Sequence, residues 1–211
     1  MKREEKMANI VILHGLYMHG VVMKPMASRL KKKGHTVQII SYNSLRINET
    51  LLFKRIHRCL SLSKKNVLVG HSLGGILAIN FVNSHQDLNT PIDCIVTIGS
   101  PLQGASIAKE IQNKKLGFIL GNSKEQGLVD VTKLTTDCPI GSIAGTMPIG
   151  IRTPIMRDKQ PSDGTVTVEE TLLPDLRDHL CLKYSHTSLI YATDTVNQVD
   201  YFIANHEFER R

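Results

Sequence analysis

The stretch NVLVGHSLGGILAINF, from Asn66 to Phe81, joins a short apolar run to a second apolar run through Gly-His-Ser-Leu-Gly-Gly. Val67 to Val69 is typical of a buried strand, and the residues after the glycines are typical of a buried helix. A serine at such a turn lies on a strained backbone that pushes its hydroxyl clear of the sheet. Only glycine-sized neighbours let the strand and the helix approach so closely. The pattern therefore predicts that Ser72 is a nucleophile rather than an N-capping serine.

Strand-like and helix-like stretches alternate along the chain. The apolar runs that predict strands are Ala8 to Leu13, Thr36 to Ile40, Asn66 to Val69, Asp93 to Ile98, Ile140 to Ala144 and His179 to Leu182. The stretches that predict helices are Val21 to Lys33, Glu49 to Leu60, Leu73 to Ser84, Ala105 to Lys115 and Ser188 to Ala204. This order predicts an α/β fold of about six mostly parallel strands with helices on both faces. We expect a single domain over residues 1–211.

Two segments interrupt the alternation. Residues 116–139 carry several glycines between apolar residues, and residues 146–161 hold three prolines among apolar side chains. Loops of this length in a compact domain are often functional, and ligands of such sheets bind beyond the carboxyl ends of the strands. Irregular packing over the core explains either segment equally well, so both interpretations stay open.

A serine nucleophile needs an acid and a base, which follow this kind of turn in the order serine, acid, histidine. His186 follows the last predicted strand, in a loop position that suits a ring reaching over Ser72. Asp163 lies between the two, in an Asp-Gly turn that can hold a carboxylate rigidly. We therefore predict Asp163 as the acid and His186 as the base. The acidic residues that compete with Asp163 by position are Asp130, Asp137, Glu169 and Asp175.

Other histidines fit the role of base less well. His71 precedes the serine within the turn itself, where we expect it to pack or steer rather than titrate. The histidines that we expect to face solvent, from their positions in loops, on amphipathic helices or at a strand start, are His19, His35, His57, His85, His179 and His206. His186 therefore stays the predicted base.

The exit of the first predicted strand supplies a candidate oxyanion hole. The strand leads into His14-Gly15-Leu16-Tyr17, and Gly15 allows a turn after which an amide can point at the serine. We predict the backbone N–H groups of Leu16 and Leu73 as the two donors. One such donor stabilises a transition state by about 3 kcal/mol. Taken alone, the His-Gly pair is equally consistent with an ordinary turn.

Composition excludes several classes of function. The 211 residues carry a formal net charge of +7, which favours acidic partners weakly, and no nucleic-acid-binding motif accompanies it. No apolar run approaches the length of a membrane span, and the charged start does not resemble a signal segment. The cysteines have neither paired nor metal-like spacing, so we predict no metal and no cofactor. We expect buried free thiols, Cys94 and Cys181 among them, in a cytoplasmic protein.

Four segments resemble the α/β-hydrolases of the small bacterial lipase and esterase type. They are VILHGLYMHG, VLVGHSLGG, IGSPLQG, and SDGTVTVEET followed later by YSHTSL, and they extend from the first predicted strand to the last helix. The resemblance assigns Ser72 as nucleophile, Asp163 as acid, His186 as base, and Leu16 and Leu73 as oxyanion donors. It implies a minimal α/β-hydrolase fold, because the family's first two strands have no room before the first predicted strand and a large cap domain is missing.

We therefore expect a serine hydrolase that cleaves carboxylic esters through an acyl-enzyme intermediate. The segment from Met147 to Met156 is expected to form an acyl-chain wall, which favours a small hydrophobic or lipid-like ester. The expected substrate-binding residues are Tyr17, Met147, Ile149 and Ile151. An acyl thioesterase with the same triad is the alternative, and a binding protein on a hydrolase scaffold fits three intact triad positions less well. Contact with a membrane is expected to be peripheral at most.

Overall fold

Six parallel strands form the sheet of the described residues, which in this computed structural model are 7–85, 90–113, 120–123, 127–128, 130–156 and 158–210. The strands are β1 (Ala8–Leu13), β2 (Thr36–Ile40), β3 (Lys65–His71), β4 (Ile92–Ile98), β5 (Ile140–Gly145) and β6 (Asp178–Leu182). Their order across the sheet is β2-β1-β3-β4-β5-β6, and every neighbouring pair is parallel. Each strand lies within about two residues of its predicted bounds, and the predicted fold class is confirmed.

Helices connect the strands. They are α1 (Lys24–Lys32), α2 (Glu49–Cys59), α3 (Leu73–Ser84), α4 (Ser106–Asn113), α5 (Arg152–Met156) and α6 (Thr193–Asn205). The short helix α5 lies inside the segment 146–161, so that segment is not irregular throughout. The end of the predicted fourth helix, at residues 114–115, lies outside the described residues, as do 116–119, 124–126 and 129 of the other long segment. None of these helices is both long and apolar enough to cross a membrane.

The sheet separates two hydrophobic cores, because alternate residues of a strand face opposite sides. In β1, Val11 and Leu13 pack in the core that contains α2 and α3. Ile10 and Ile12 of the same strand pack in the core that contains α1 and α6. Burial on both faces explains why β1 is apolar at successive positions. The carboxyl ends of the strands, where the connecting loops meet, are left to build a site.

Two expectations about burial are wrong. Cys94 is buried as predicted, but Cys181 is exposed, since β6 forms an edge of the sheet. His35 is buried rather than solvent-facing. Its Nδ1 accepts a hydrogen bond from the Ala8 N–H at 3.1 Å, and its Nε2 donates to Asp200 Oδ1 at 2.9 Å. The turn between α1 and β2 therefore packs against α6. The sequence of the turn did not indicate this contact.

Candidate active site

Ser72 occupies the sharp turn between β3 and α3. Its φ of 53° and ψ of −123° lie in a region that a residue other than glycine adopts only when its surroundings require it. A Cβ atom on Gly70 would come within 2.4 Å of the Gly74 carbonyl, and one on Gly74 within 2.5 Å of the Leu13 carbonyl oxygen. The two glycines therefore permit the close approach of β3, α3 and β1 that forces the serine outward.

Asp163 and His186 are joined by a direct hydrogen bond. His186 Nδ1 donates to Asp163 Oδ2 at 2.6 Å, while Oδ1 accepts from the N–H groups of Thr165 and Val166 at 2.9 and 2.8 Å. The backbone N–H of His186 also donates to the Asp163 carbonyl oxygen at 2.8 Å. Asp163 is fully buried, so its carboxylate is fixed, and it holds the imidazole with Nε2 available for another partner.

The acids that compete with Asp163 by sequence position have a different environment. Asp130, Asp137, Glu169 and Asp175 are all exposed. An exposed carboxylate is solvated and keeps its rotational freedom, so it orients an imidazole poorly. The geometry therefore favours Asp163 among the five candidates.

His71, the residue before Ser72, is a buried imidazole that lies against the ring of His186. The two ring centroids are 4.6 Å apart. Burial, with the nearby His186 as the next cause, lowers the pKa of His71 to about 3. His71 is therefore neutral near pH 7, and it does not repel a positive charge on the neighbouring imidazole. This agrees with the expectation that His71 packs rather than titrates.

The backbone around Gly15 passes directly beside the serine. A Cβ atom on Gly15 would lie 3.1 Å from Ser72 Cβ. His14 Nδ1 donates a hydrogen bond to the Gly15 carbonyl oxygen at 2.9 Å. The carbonyl and the next N–H of a trans peptide point in opposite directions, so this bond fixes the Leu16 N–H pointing away from the His14 ring. The Leu73 N–H begins α3, where an amide has no acceptor within the helix.

A cavity of about 290 Å³ opens at this point and is lined by Ser72, His71 and His186. Gly15 and Leu16 also line it. The structure thus brings the predicted nucleophile, the predicted base and one predicted oxyanion donor to one cavity at the carboxyl end of the sheet. This is the position at which α/β sheets bind ligands.

The predicted substrate-binding residues divide into two groups. Tyr17, Ile149 and Ile151 line the cavity and are 60, 68 and 54% exposed, so they form its outer rim. Met147 does not contribute to the lining. A deeper apolar wall, which the sequence did not single out, consists of Ala105, Ile107, Ala108, Ile111, Leu120 and Leu128. It comes from α4 and from the described part of the segment 116–139.

One group among the described residues has the atoms to ligate a metal, far from this cavity. The ligand atoms of Asp93, Cys94 and His206 lie within 4.8 Å of one another, at the amino end of β4. Asp93 already lies 3.5 Å from Lys65 Nζ and accepts a hydrogen bond from His206 Nε2 at 3.1 Å. Burial raises the pKa of the Cys94 thiol well above its usual value, which opposes the thiolate that a metal requires. An ion-pair network accounts for this cluster.

Known proteins share this fold at low sequence identity. The lipase BlEst2 of Bacillus licheniformis in its mature form is 19% identical, with 94% of this chain and 91% of that chain covered and a TM-score of 0.67. The metagenomic carboxyl esterase MGS0156 is 15% identical, with 86% and 65% covered and a TM-score of 0.72. The NocB thioesterase domain from the nocardicin cluster is 14% identical, with 93% of each chain covered and a TM-score of 0.59. These likenesses show the fold.

No curated protein matches the sequence. A family model described as PGAP1-like alpha/beta domain matches residues 38–146, which is just over half of the 211 residues. The matched region contains β3, Ser72 and α3. The chain therefore belongs to the PGAP1-like alpha/beta domain family, and it shares the fold of the lipase and the esterase named above.

Proposed function

We propose that the protein is a serine hydrolase that cleaves carboxylic esters with a hydrophobic acyl group through an acyl-enzyme intermediate. Its nucleophile is Ser72, its base is His186 and its acid is Asp163. One observation carries the proposal. Ser72, whose backbone is strained, and His186, whose imidazole is hydrogen-bonded to the Asp163 carboxylate, line the same cavity. The lipase and esterase among the structural neighbours are consistent with this chemistry.

The first half of the reaction forms the acyl-enzyme. His186 Nε2 takes the proton of the Ser72 hydroxyl, and the oxygen attacks the ester carbonyl carbon. The buried carboxylate of Asp163 stabilises the imidazolium that results. The N–H groups of Leu16 and Leu73 stabilise the negative charge on the carbonyl oxygen. His186 then returns its proton to the alkoxide oxygen as the C–O bond breaks, and the alcohol leaves.

The second half releases the acid. Water replaces the alcohol beside His186, which takes its proton while the water oxygen attacks the acyl carbonyl. The tetrahedral intermediate collapses with Ser72 as the leaving group, and His186 returns the proton to the Ser72 oxygen. Neither half requires a cofactor, because every proton moves among Ser72, His186, the leaving alcohol and water.

A thioesterase is the second candidate function. The same three side chains attack a thioester carbonyl, and one structural neighbour bears the name of a thioesterase domain. The formal net charge of +7 also suits an acidic carrier or a phosphate-bearing thiol. Turnover of an oxyester and a thioester with the same acyl group distinguishes the two. A ratio of kcat/KM far above one for the thioester would favour the second candidate.

Labelling by a fluorophosphonate probe tests the nucleophile. We expect the wild-type protein to be labelled and Ser72→Ala to be neither labelled nor active, with an unchanged circular dichroism spectrum. Persistent labelling of Ser72→Ala would refute the assignment.

Asp163→Asn should reduce kcat by about 10³- to 10⁴-fold, because the amide holds the wrong tautomer of the imidazole. Its matched control is Asp175→Asn, an exposed competing acid whose replacement should leave kcat unchanged.

A further inference from the structure

The cavity at Ser72 has two chemically different ends. At one end, Thr165, His186 and Thr187 present polar groups. Away from these groups, the described lining contains an apolar cluster from α4, the residue that precedes α4, and Leu120 and Leu128 of the segment 116–139. The site therefore distinguishes the two halves of a substrate whose reacting carbon lies at Ser72.

The mechanism assigns each half of an ester to one end. The leaving oxygen must receive its proton from His186, so the alcohol half lies on the side of His186 and Thr187. The acyl half then extends in the other direction, along Pro101 toward Ala105 and Ala108. The exposed rim residues Ile149 and Ile151 lie at the mouth and do not close this end.

Two alanines set the depth of the apolar end. Ala105 and Ala108 are 3 and 2% exposed, and their spacing of three residues places them on one side of a helical turn. The Ala105 N–H donates to the Leu128 carbonyl oxygen at 2.8 Å, which ties the start of α4 to the neighbouring part of the same apolar wall. A larger side chain at either alanine would therefore fill the cavity, because the walls around it are held together.

We propose, on the basis of the proposed ester hydrolysis, that the wall formed by Ala105 and Ala108 is the acyl site and that it selects acyl groups of medium length. A group the size of a water molecule occupies about 30 Å³, so a cavity of about 290 Å³ has room for about ten such groups. An acyl group of about eight carbons, counted with its two ester oxygens, fills that space. Shorter chains leave part of the apolar wall unoccupied. Longer chains project past the rim into water and gain nothing from their additional carbons.

The test is the hydrolysis of p-nitrophenyl esters from acetate (C2) to palmitate (C16) by the wild-type protein, Ala108→Val and Ala108→Phe. For the wild type, kcat/KM should rise with chain length up to about C8 and then level off or fall. The rise should be up to about fourfold per methylene, which corresponds to about 0.8 kcal/mol. In Ala108→Phe the rise should end at a shorter chain, and the octanoate-to-acetate ratio should fall at least about tenfold. In Ala108→Val the octanoate-to-acetate ratio should lie between those of the wild type and Ala108→Phe. This smaller substitution still gives a result if the Phe variant does not fold.

Ile149→Ala provides the matched control, because it removes an apolar side chain at the exposed rim and not at the deep wall. Its rates should change without a shift in the chain length at which the rise ends. An unchanged profile in both Ala108 variants, or a rise that continues to palmitate, would overturn the acyl-site proposal while ester hydrolysis stands. If the wild type hydrolyses no ester, including acetate, the proposed function itself fails.

Discussion

The imidazole of His71 donates a hydrogen bond from Nε2 to the backbone carbonyl oxygen of His186, at 3.0 Å. Because the carbonyl can only accept, the bond fixes the proton of neutral His71 on Nε2. The other ring nitrogen of His71 has no hydrogen-bond partner within the described residues. Thus His71, at the end of β3 and beside the proposed nucleophile, holds the main chain of the proposed base in the loop after β6.

Replacing His71 by Phe should slow catalysis by misplacing His186. The change keeps a ring of similar size but removes the donor, which leaves the partly buried His186 carbonyl without that bond. We expect kcat to fall on the order of 10- to 100-fold, since small displacements of a reacting group are costly. His71→Gln retains an N–H donor and should recover most of the rate in steady-state assays. Equal losses in both variants would contradict a role for the hydrogen bond, and an unchanged kcat in His71→Phe would mean that the ring of His71 only fills space.

His71 should also make stability depend on pH. Its pKa is about 3 in the folded protein and 6.5 for a free imidazole. Between these values the unfolded chain binds a proton at His71 that the folded protein does not, so the free energy of unfolding falls as pH is lowered. One proton contributes at most about 1.4 kcal/mol per pH unit.

Urea unfolding of wild type and His71→Gln at pH 7 and pH 4.5 measures this contribution. On acidification the wild type should lose up to about 2 to 3 kcal/mol more than the variant, which has no group to titrate at this position. Parallel losses in the two proteins would show that other groups determine the acid sensitivity.

The pairing of Asp163 with His186 could be predicted because its signals are local. His186 lies in the loop after β6 and Asp163 in the segment after β5, and parallel strands bring their carboxyl ends to one edge of the sheet. The glycines around Ser72 mark a turn that few other sequences need. Twelve acidic residues lie between the serine and the histidine, so chain order alone does not select the acid, and burial distinguishes Asp163 from the exposed Asp175.

The deep wall of the cavity could not be predicted in the same way. Ala105 and Ala108 are ordinary residues for the start of a helix, and their importance comes from where α4 packs relative to Leu128. Met147 illustrates the converse, because its apolar side chain suggested a substrate contact but it lies outside the lining. The periodicity of apolar residues predicts which face of a helix or strand is buried. It does not predict which of two apolar segments adjoins a cavity.

His14 should matter for catalysis through the peptide that follows it. Its ring donates to the Gly15 carbonyl and stacks on Tyr42 at a centroid distance of 4.2 Å. His14→Phe keeps the stack and removes the donor, so the Gly15 carbonyl keeps only its hydrogen bond from the Met18 N–H at 3.3 Å, and the Gly15–Leu16 peptide is held less firmly. We expect kcat to fall by about 10- to 100-fold with a smaller change in KM, short of the full loss of an oxyanion donor.

Tyr42→Phe is the matched control for His14→Phe. It removes the hydroxyl that donates to the His14 carbonyl oxygen but leaves the His14 imidazole bound to Gly15. Its kcat should stay close to that of the wild type. A His14→Phe enzyme with unchanged kcat, or one in which only KM rises, would remove the Leu16 amide from the proposed mechanism.

Arg152 is a buried cation that joins three parts of the cavity wall. Its side chain donates to both carboxylate oxygens of Asp158, at 3.1 and 2.5 Å, and to Ser106 Oγ at 2.9 Å. The carboxylate of Glu170 lies 3.8 Å from the same guanidinium. The backbone N–H of Arg152 donates to the Gly164 carbonyl oxygen at 2.8 Å, one residue from the proposed acid. The network therefore connects the rim, the start of α4 and the acid loop.

Arg152→Met should destabilise the fold, because it leaves the Asp158 and Glu170 carboxylates without their cation in a largely buried setting. Breaking such a pair costs about 3 to 5 kcal/mol, and we expect a value near the lower limit because the side chain of Asp158 is 28% exposed. Arg210→Met breaks a comparable pair with Asp178, but the Arg210 side chain is 61% exposed, so its loss should be much smaller. Urea unfolding of both variants measures the difference. Equal effects would mean that the network around Arg152 is as solvated as a surface ion pair and does not hold the rim against the acid loop.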